Sequence, residues 1–183
     1  VAPEKSLAAP EPAKDTVSAP KKSPGTETIS PYTEMMPAVR EQLEKMQLSA
    51  ALHTLSTYYE DPRFTPQQHD AWVKLLDQVA GSVIYSREHF LQAAYQVKPG
   101  EQLGDIANQF KVPAGLLAKI NGIPTSAPLS PGTKLKVIHG PFNAVVNTTK
   151  KELTLWLGSN YAGRFTVDLG PEFSQIVGPF VVQ

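Results

Sequence analysis

Apolar positions change period along this chain, and each period predicts a different kind of element. Between residues 33 and 90 they recur every three or four places. Met36, Val39, Leu43 and Met46 mark one helix, Leu52, Leu55 and Tyr59 a second, and Trp72, Leu75, Leu76, Val79 and Val83 a third. Asp61-Pro62 stops the second helix. Thr65-Pro66-Gln67-Gln68 starts the third with an N-cap, a proline at the first helical position and a capping-box glutamine. From residue 95 the pattern runs strand, helix, helix, strand. Tyr95 and Val97 alternate ahead of a Pro99-Gly100 turn, and Leu103, Ile106, Ala107 and Phe110 share a helical face that ends at Val112-Pro113. Leu116, Leu117 and Ile120 form the next apolar face, closed by Asn121-Gly122, a pair suited to a left-handed helix end. Over 133–138, Leu135 and Val137 alternate against Lys134 and Lys136 in a second strand. Beyond 141 the period is two. Val145 lies in one strand, Leu153, Leu155 and Leu157 share a face of the next, Phe165 and Val167 share a face of a third, and Val181-Val182 begins a fourth. Turns are expected at 148–151 and 158–163. An antiparallel meander this small exposes its edges and one apolar face, and further chain is expected to follow it.

Composition adds a spacer and removes several chemistries. Residues 1–31 hold six prolines and five alanines with no apolar period, so they are expected to be a disordered, semi-extended tether to an anchor not included here. The alternative is a Pro/Lys peptide that binds a partner. The 183 residues carry no net charge and no cysteine, which excludes a disulfide framework, a zinc–thiolate site and a cysteine nucleophile within them. No apolar run approaches the roughly 18 residues that span a bilayer, so membrane attachment is expected only through a missing N-terminal segment. Charge is uneven locally: residues 32–94 have five basic against eight acidic side chains, and 95–138 have five lysines against Glu101 and Asp105. The basic module has no arginine and places Tyr95 and Phe110 in its core, so a solvated lysine surface is expected and nucleic acid is not.

The order of elements over 95–138, with Tyr95-x-Val97-x-Pro99-Gly100, Leu103-x-x-Ile106-Ala107, Leu117, Asn121-Gly122 and Pro131-Gly132-x-x-Leu135, resembles the LysM module, a βααβ carbohydrate-binding unit of cell-wall proteins. Gln102, where the family often has Thr, and Gly104, early in the first helix, depart from its pattern. The resemblance implies a shallow glycan groove between two loops: Gly100, Glu101, Gln102 and Leu103 after the first strand, facing Asn121, Gly122, Ile123, Pro124 and Thr125 after the second helix. N-acetyl sugars are neutral at the acetamide, so main-chain N–H and C=O groups with an apolar patch suit them. The competing reading makes Gly100 and Gly122 plain turn residues, Asn121 a helix cap and Leu103 a core residue.

Two weaker resemblances flank the module. Residues 41–59, with Leu43, Ala51-Leu52 and Leu55, are similar to half of a tetratricopeptide repeat. That leaves the helices as either a structural cap on the module or a surface for a protein partner. Val146-Asn147, Lys151-x-Leu153-x-Leu155, Phe165-x-Val167-x-x-Gly170 and Gly178-x-Phe180-x-Val182 resemble the first third of a YkuD-type L,D-transpeptidase domain. Asp168-Leu169 and residues 171–177 depart from that family's approach to the glycine. The resemblance implies a catalytic histidine and a Ser-His-Gly-Cys segment downstream of Gln183, where a thiolate would attack a peptide-stem carbonyl.

The remaining constellations are poor. His53, His69, His89 and His139 have no metal-ligand spacing, so no metal is expected, and neither is a cofactor or a catalytic residue. Asp168 and Glu172 read as solvated turn residues, and Glu41 pairs with Lys45 on a helix surface. The expectation is an α+β multi-domain chain: a spacer at 1–31, a small helical bundle at 32–94, a βααβ module at 95–138 and an incomplete β domain at 141–183. Its expected partner is peptidoglycan or another N-acetylglucosamine glycan, outside the cytoplasm in periplasm or cell wall.

Overall fold

A computed structural model describes residues 30–168 and 170. Residues 1–29 of the tether expected at 1–31, the glycine-approach segment at 171–177 with Glu172, and the expected fourth strand at Val181-Val182 lie outside the described residues; Pro31, the last residue of that expected tether, already begins the first helix. The described residues form an α+β structure of five α-helices and two antiparallel sheets.

Three helices come first: α1 (Pro31–Glu44), α2 (Leu48–Thr57) and α3 (Pro66–Ala80). The capping box that opens α3 is complete, with Thr65 Oγ1 accepting from Gln68 N and Gln68 Oε1 accepting from Thr65 N. Trp72 fills the middle of the bundle, fully buried among the rings of Tyr32, Tyr58 and Phe64, and its Nε1 donates to Leu55 O at 2.9 Å. Two apolar positions fall outside the helices expected to hold them. Met46 takes a left-handed φ of 56° just past α1 and is 65% exposed, because the chain must reverse there to lay α2 back along α1. Tyr59 follows the end of α2 and points to a different partner. A π-helical turn at Gly81–Tyr85 extends α3 and buries Val83 and Ile84.

That different partner is the meander β3 (Phe142–Asn147), β4 (Glu152–Leu157) and β5 (Asn160–Thr166), ordered β3-β4-β5. The helices pack on one another, and α2 and α3 also lie against β5 of this sheet. A cap seated on the βααβ module is therefore not their main packing. Ser56, buried in α2, accepts from Tyr161 N at 2.9 Å and donates to Leu52 O at 2.6 Å, which joins helix to strand through one hydroxyl. Tyr59 packs edge-on against Trp156 and at a tilt against Tyr161, and it shares its hydroxyl with Thr154 and Glu152. Burial, the main cause, pushes its phenol up to about 12. The Tyr161 phenol is also raised, first by burial and then by its hydrogen bond to Asp77.

The expected long turn at 158–163 is a two-residue reversal at Gly158-Ser159, with Leu157 paired to Asn160. Glycine at the first central position, φ 60°, suits that hairpin. Tyr161 and Ala162 are consequently buried strand residues. A register shift at Leu155/Trp156 breaks the simple alternation, so Leu157 is buried while Leu153 and Leu155 are only half-buried. The outer face carries exposed Val146 and Phe165, as expected of an open sheet. The turn at 148–151 stands where expected, and β5 ends before Val167.

Between these parts sits the βααβ unit: β1 (Tyr95–Gln96), α4 (Leu103–Phe110), α5 (Ala114–Asn121) and β2 (Lys134–Leu135), with β1 and β2 antiparallel. Its core is Val97, Leu103, Ile106, Ala107, Phe110, Leu117, Ile120 and Leu135, extended by Val137 and Ile138. The helix α4 ends at Phe110, before Val112, because Lys111 takes the left-handed conformation and Val112 N returns to Ala107 O. The second strand is shorter than 133–138. Past Leu135 the chain leaves the ladder, and Lys136 turns inward to 2% exposure, with its Nζ donating to Val83 O at 2.7 Å. This corrects the expectation of a solvated lysine face at that position. The module closes where Gly140 N donates to Phe110 O at 2.8 Å. A Cβ on Gly140 would lie 2.0 Å from Lys111 O, so a side chain there would collide with backbone.

Candidate functional site

The two loops expected to form a groove are placed by the helix pair. Residues 111–113 join the end of α4 to the start of α5, and the two eight-residue helices pack on each other. The start of α4 and the end of α5, with 100–103 and 121–125, therefore lie at the open end of one helical hairpin. The predicted residues behave differently there. Leu103 is 2% exposed and belongs to the core. Gly100, Gln102, Gly122, Pro124 and Thr125 are exposed, and Glu101, Asn121 and Ile123 are half-buried.

Several of these residues hold the loops in shape. The Glu101 carboxylate accepts from Tyr95 OH at 2.8 Å and from Lys98 N at 2.8 Å. The backbone bond from Lys98, then the one from Tyr95, keeps its carboxyl below the usual range. Gln102 caps α4, with its N donating to Asp105 Oδ2 at 3.1 Å. Asn121 turns inward: its Nδ2 donates to Leu117 O and Lys136 O at 2.8 and 2.9 Å, and its Oδ1 accepts from Lys136 N at 2.7 Å. It thus substitutes for a strand neighbour at the point where Lys136 leaves β2. Gly122 takes φ 64°, its N donates to Lys119 O, and Ile123 N donates to Ala118 O, the paired bonds of a Schellman helix end.

What remains open is main chain. Among the described residues, the N–H groups of Gly100 and Thr125 donate to no backbone carbonyl outside the helices and strands, and the carbonyls of Gly100, Glu101, Gly122 and Ile123 accept from no such N–H. These groups are neutral, exposed or half-buried, and of both polarities. An acetamide, with one N–H and one C=O beside a methyl, can use such a set. One residue at this end was not legible as part of it. Arg87, from the segment before β1, lays its guanidinium over Gly122, where a built Cβ would come within 1.8 Å of Nη2. Thirty-five positions separate the two, and no local pattern links them.

Two clefts lie elsewhere. One of about 520 Å³ is lined by Glu60, Asp61, Phe64, His69 and Lys150, where Glu60 pairs with Lys150 at 2.8 Å and Asp61 with Arg63 at 2.7 Å. The other, of about 340 Å³, lies between Gln92, His139, Pro141 and Asn160. Among the described residues no group of three His, Cys, Asp or Glu could hold a metal ion, and no helix is long and apolar enough to cross a membrane.

Residues 95–137 match the family model of the LysM domain. LysM domains bind peptidoglycan and other N-acetylglucosamine glycans, and they occur in cell-wall and extracytoplasmic proteins. No curated protein and no solved structure matches the chain.

Proposed function

We propose that this chain binds N-acetylglucosamine-containing cell-wall glycan at the open end of the α4–α5 hairpin, as the targeting part of an extracytoplasmic protein. The observation that carries this reading is the set of free main-chain donors and acceptors in both loops of a segment that matches the LysM domain. Gly100, Gln102, Gly122, Ile123, Pro124 and Thr125 present the surface. Glu101 and Asn121 hold the loops in place, and Leu103 anchors α4 beneath them. Chitotetraose titrated to millimolar concentration should shift the amide signals of 100–103 and 121–125 and leave α1–α3 unmoved. Uniform shifts, or none, would remove the proposal.

A second reading extends the first: the meander is the opening part of an L,D-transpeptidase domain, and the glycan module raises the local concentration of peptide stems for it. It is favoured by β3, β4 and β5 falling on the residues that carry the YkuD resemblance, with an outer face left apolar at Val146 and Phe165. The reading frame past the codon for Gln183 tests it, since a histidine followed by Ser-His-Gly-Cys must appear there. The helices, of which α2 and α3 lie against β5, serve in this reading as its support. A partner that still bound after removal of residues 95–183 would make them a protein-docking scaffold instead.

A further inference from the structure

The guanidinium of Arg87 stands at the edge of the glycan loops without an acidic partner. A Cβ on Gly122 would lie 1.8 Å from its Nη2 and 2.6 Å from its Cζ, so the planar cation occupies the space that glycine leaves vacant. Only glycine lets the two approach this closely. Arg87 is an exposed residue, and among the described residues it forms no ion pair within 4 Å and no hydrogen bond through its side chain. Glu101, the one carboxylate of the two candidate loops, accepts from Tyr95 and Lys98. The end of α5 contributes partial negative charge from its last carbonyls, which suits a cation placed there but gives it no charged acceptor.

We infer that Arg87 is a carboxylate-reading residue of the glycan site, one that favours a glycan bearing an acidic substituent over a neutral N-acetylglucosamine polymer. A guanidinium presents parallel N–H groups matched to a carboxylate, whereas a neutral sugar offers it no charged acceptor. Peptidoglycan carries such groups on its lactyl ether and peptide stems; chitin carries none. Arg87 lies outside residues 95–137, so the preference would be supplied to the module by the segment that joins it to the helices. The inference rests on the glycan-binding reading above.

The test uses the chain of 183 residues and three ligands: a tetrasaccharide of alternating N-acetylglucosamine and N-acetylmuramic acid with free lactyl carboxylates, its methyl ester, and chitotetraose. The acid should bind about five-fold more tightly than the ester at low salt, as an exposed ion pair provides, and the ratio should approach one at about 1 M salt. Arg87→Gln should lower the acid to the level of the ester, and Arg87→Lys should keep part of the difference. Equal binding of acid and ester by the parent chain, or a preference that survives Arg87→Gln, overturns the inference while leaving glycan binding intact. Joint loss of acid and ester in Arg87→Gln overturns it too, because the side chain would then be a prop for the loop. If the parent chain binds none of the three, the glycan reading falls, and the role of Arg87 with it.

Discussion

The βααβ module and the helix–sheet body around it are held together in different ways. The body joins elements distant in sequence through large buried rings: Trp72 among three aromatic neighbours, and Tyr59 and Tyr161 between α2, α3 and the sheet. Its helices and its meander each leave an apolar face that the other covers. The module has two-residue strands and a core of aliphatic side chains around the single buried ring of Phe110. It relies on side chains bonded to backbone, with Asn121 and Glu101 standing in for strand partners and turn bonds. One part depends on volume, the other on a few polar contacts, and substitutions should separate them.

The largest effect is expected in the body. Trp72→Ala removes a fully buried ring and the donor to Leu55 O, at a cost of about 3–5 kcal/mol. Since the helices and sheet share one core, their signals should be lost together in urea, while the amides of α4 and α5 keep native shifts to higher urea. Separate unfolding of helices and meander would contradict the shared core. The corresponding break in the module is Asn121→Ala. It deletes three hydrogen bonds and leaves the Lys136 N–H and carbonyl half-buried without partners, which costs about 2–3 kcal/mol. Here the order should reverse, with the hydrogen-exchange protection of α5 falling first and that of α3 unchanged.

Those two sites also show how much could be read from the chain. Local signals carried well: most of the helix periods, the Thr65 capping box and the left-handed end at Gly122 are set by residues within a turn of one another. Signals that depend on distant partners did not. The alternation of Lys134 and Lys136 predicts two solvated lysines, but Val83, from another element, accepts from the second and draws it inside. Tyr59 fits the apolar stripe of a helix, yet α2 stops at Thr57 and the ring belongs to a sheet some ninety residues later. The helix stripes state that something must cover them without naming the meander as the cover. At the candidate site the loops were legible from their motif and Leu103 from its period. Arg87 was not, because its place over Gly122 exists only once the module is seated beside the π-helical turn.

The buried lysine gives the next sharpening, this time of the seam between body and module. Burial lowers the Lys136 amine to about 8 from an ordinary 10.5, with Glu88 partly opposing the shift. The folded state therefore holds fewer protons than the unfolded one between those values, and stability should rise as pH goes from about 8 to about 10.5. Below pH 8 both states are charged and the burial penalty is felt in full. Lys136→Met removes the charge and keeps the apolar stem, so the urea midpoint at pH 7 should increase and the rise toward pH 9.5 should shrink. A variant with the same pH slope as the parent would show that other groups produce it.

The smallest effect separates backbone strain from side-chain crowding at the site itself. Gly122 has φ 64°, where an L-residue costs about 1–2 kcal/mol, so Gly122→Ala should lower the stability of the module by that amount. The crowding adds little, because the atoms a Cβ would meet are the far end of the Arg87 side chain, which can swing away. Gly122→Ala combined with Arg87→Ala should then be nearly as destabilised as Gly122→Ala alone, within about 0.5 kcal/mol by denaturation. A double variant that recovered most of the loss would mean that Arg87 is held rigidly over the loop. The module would then depend on the body for the shape of its binding surface as well as for its neighbour.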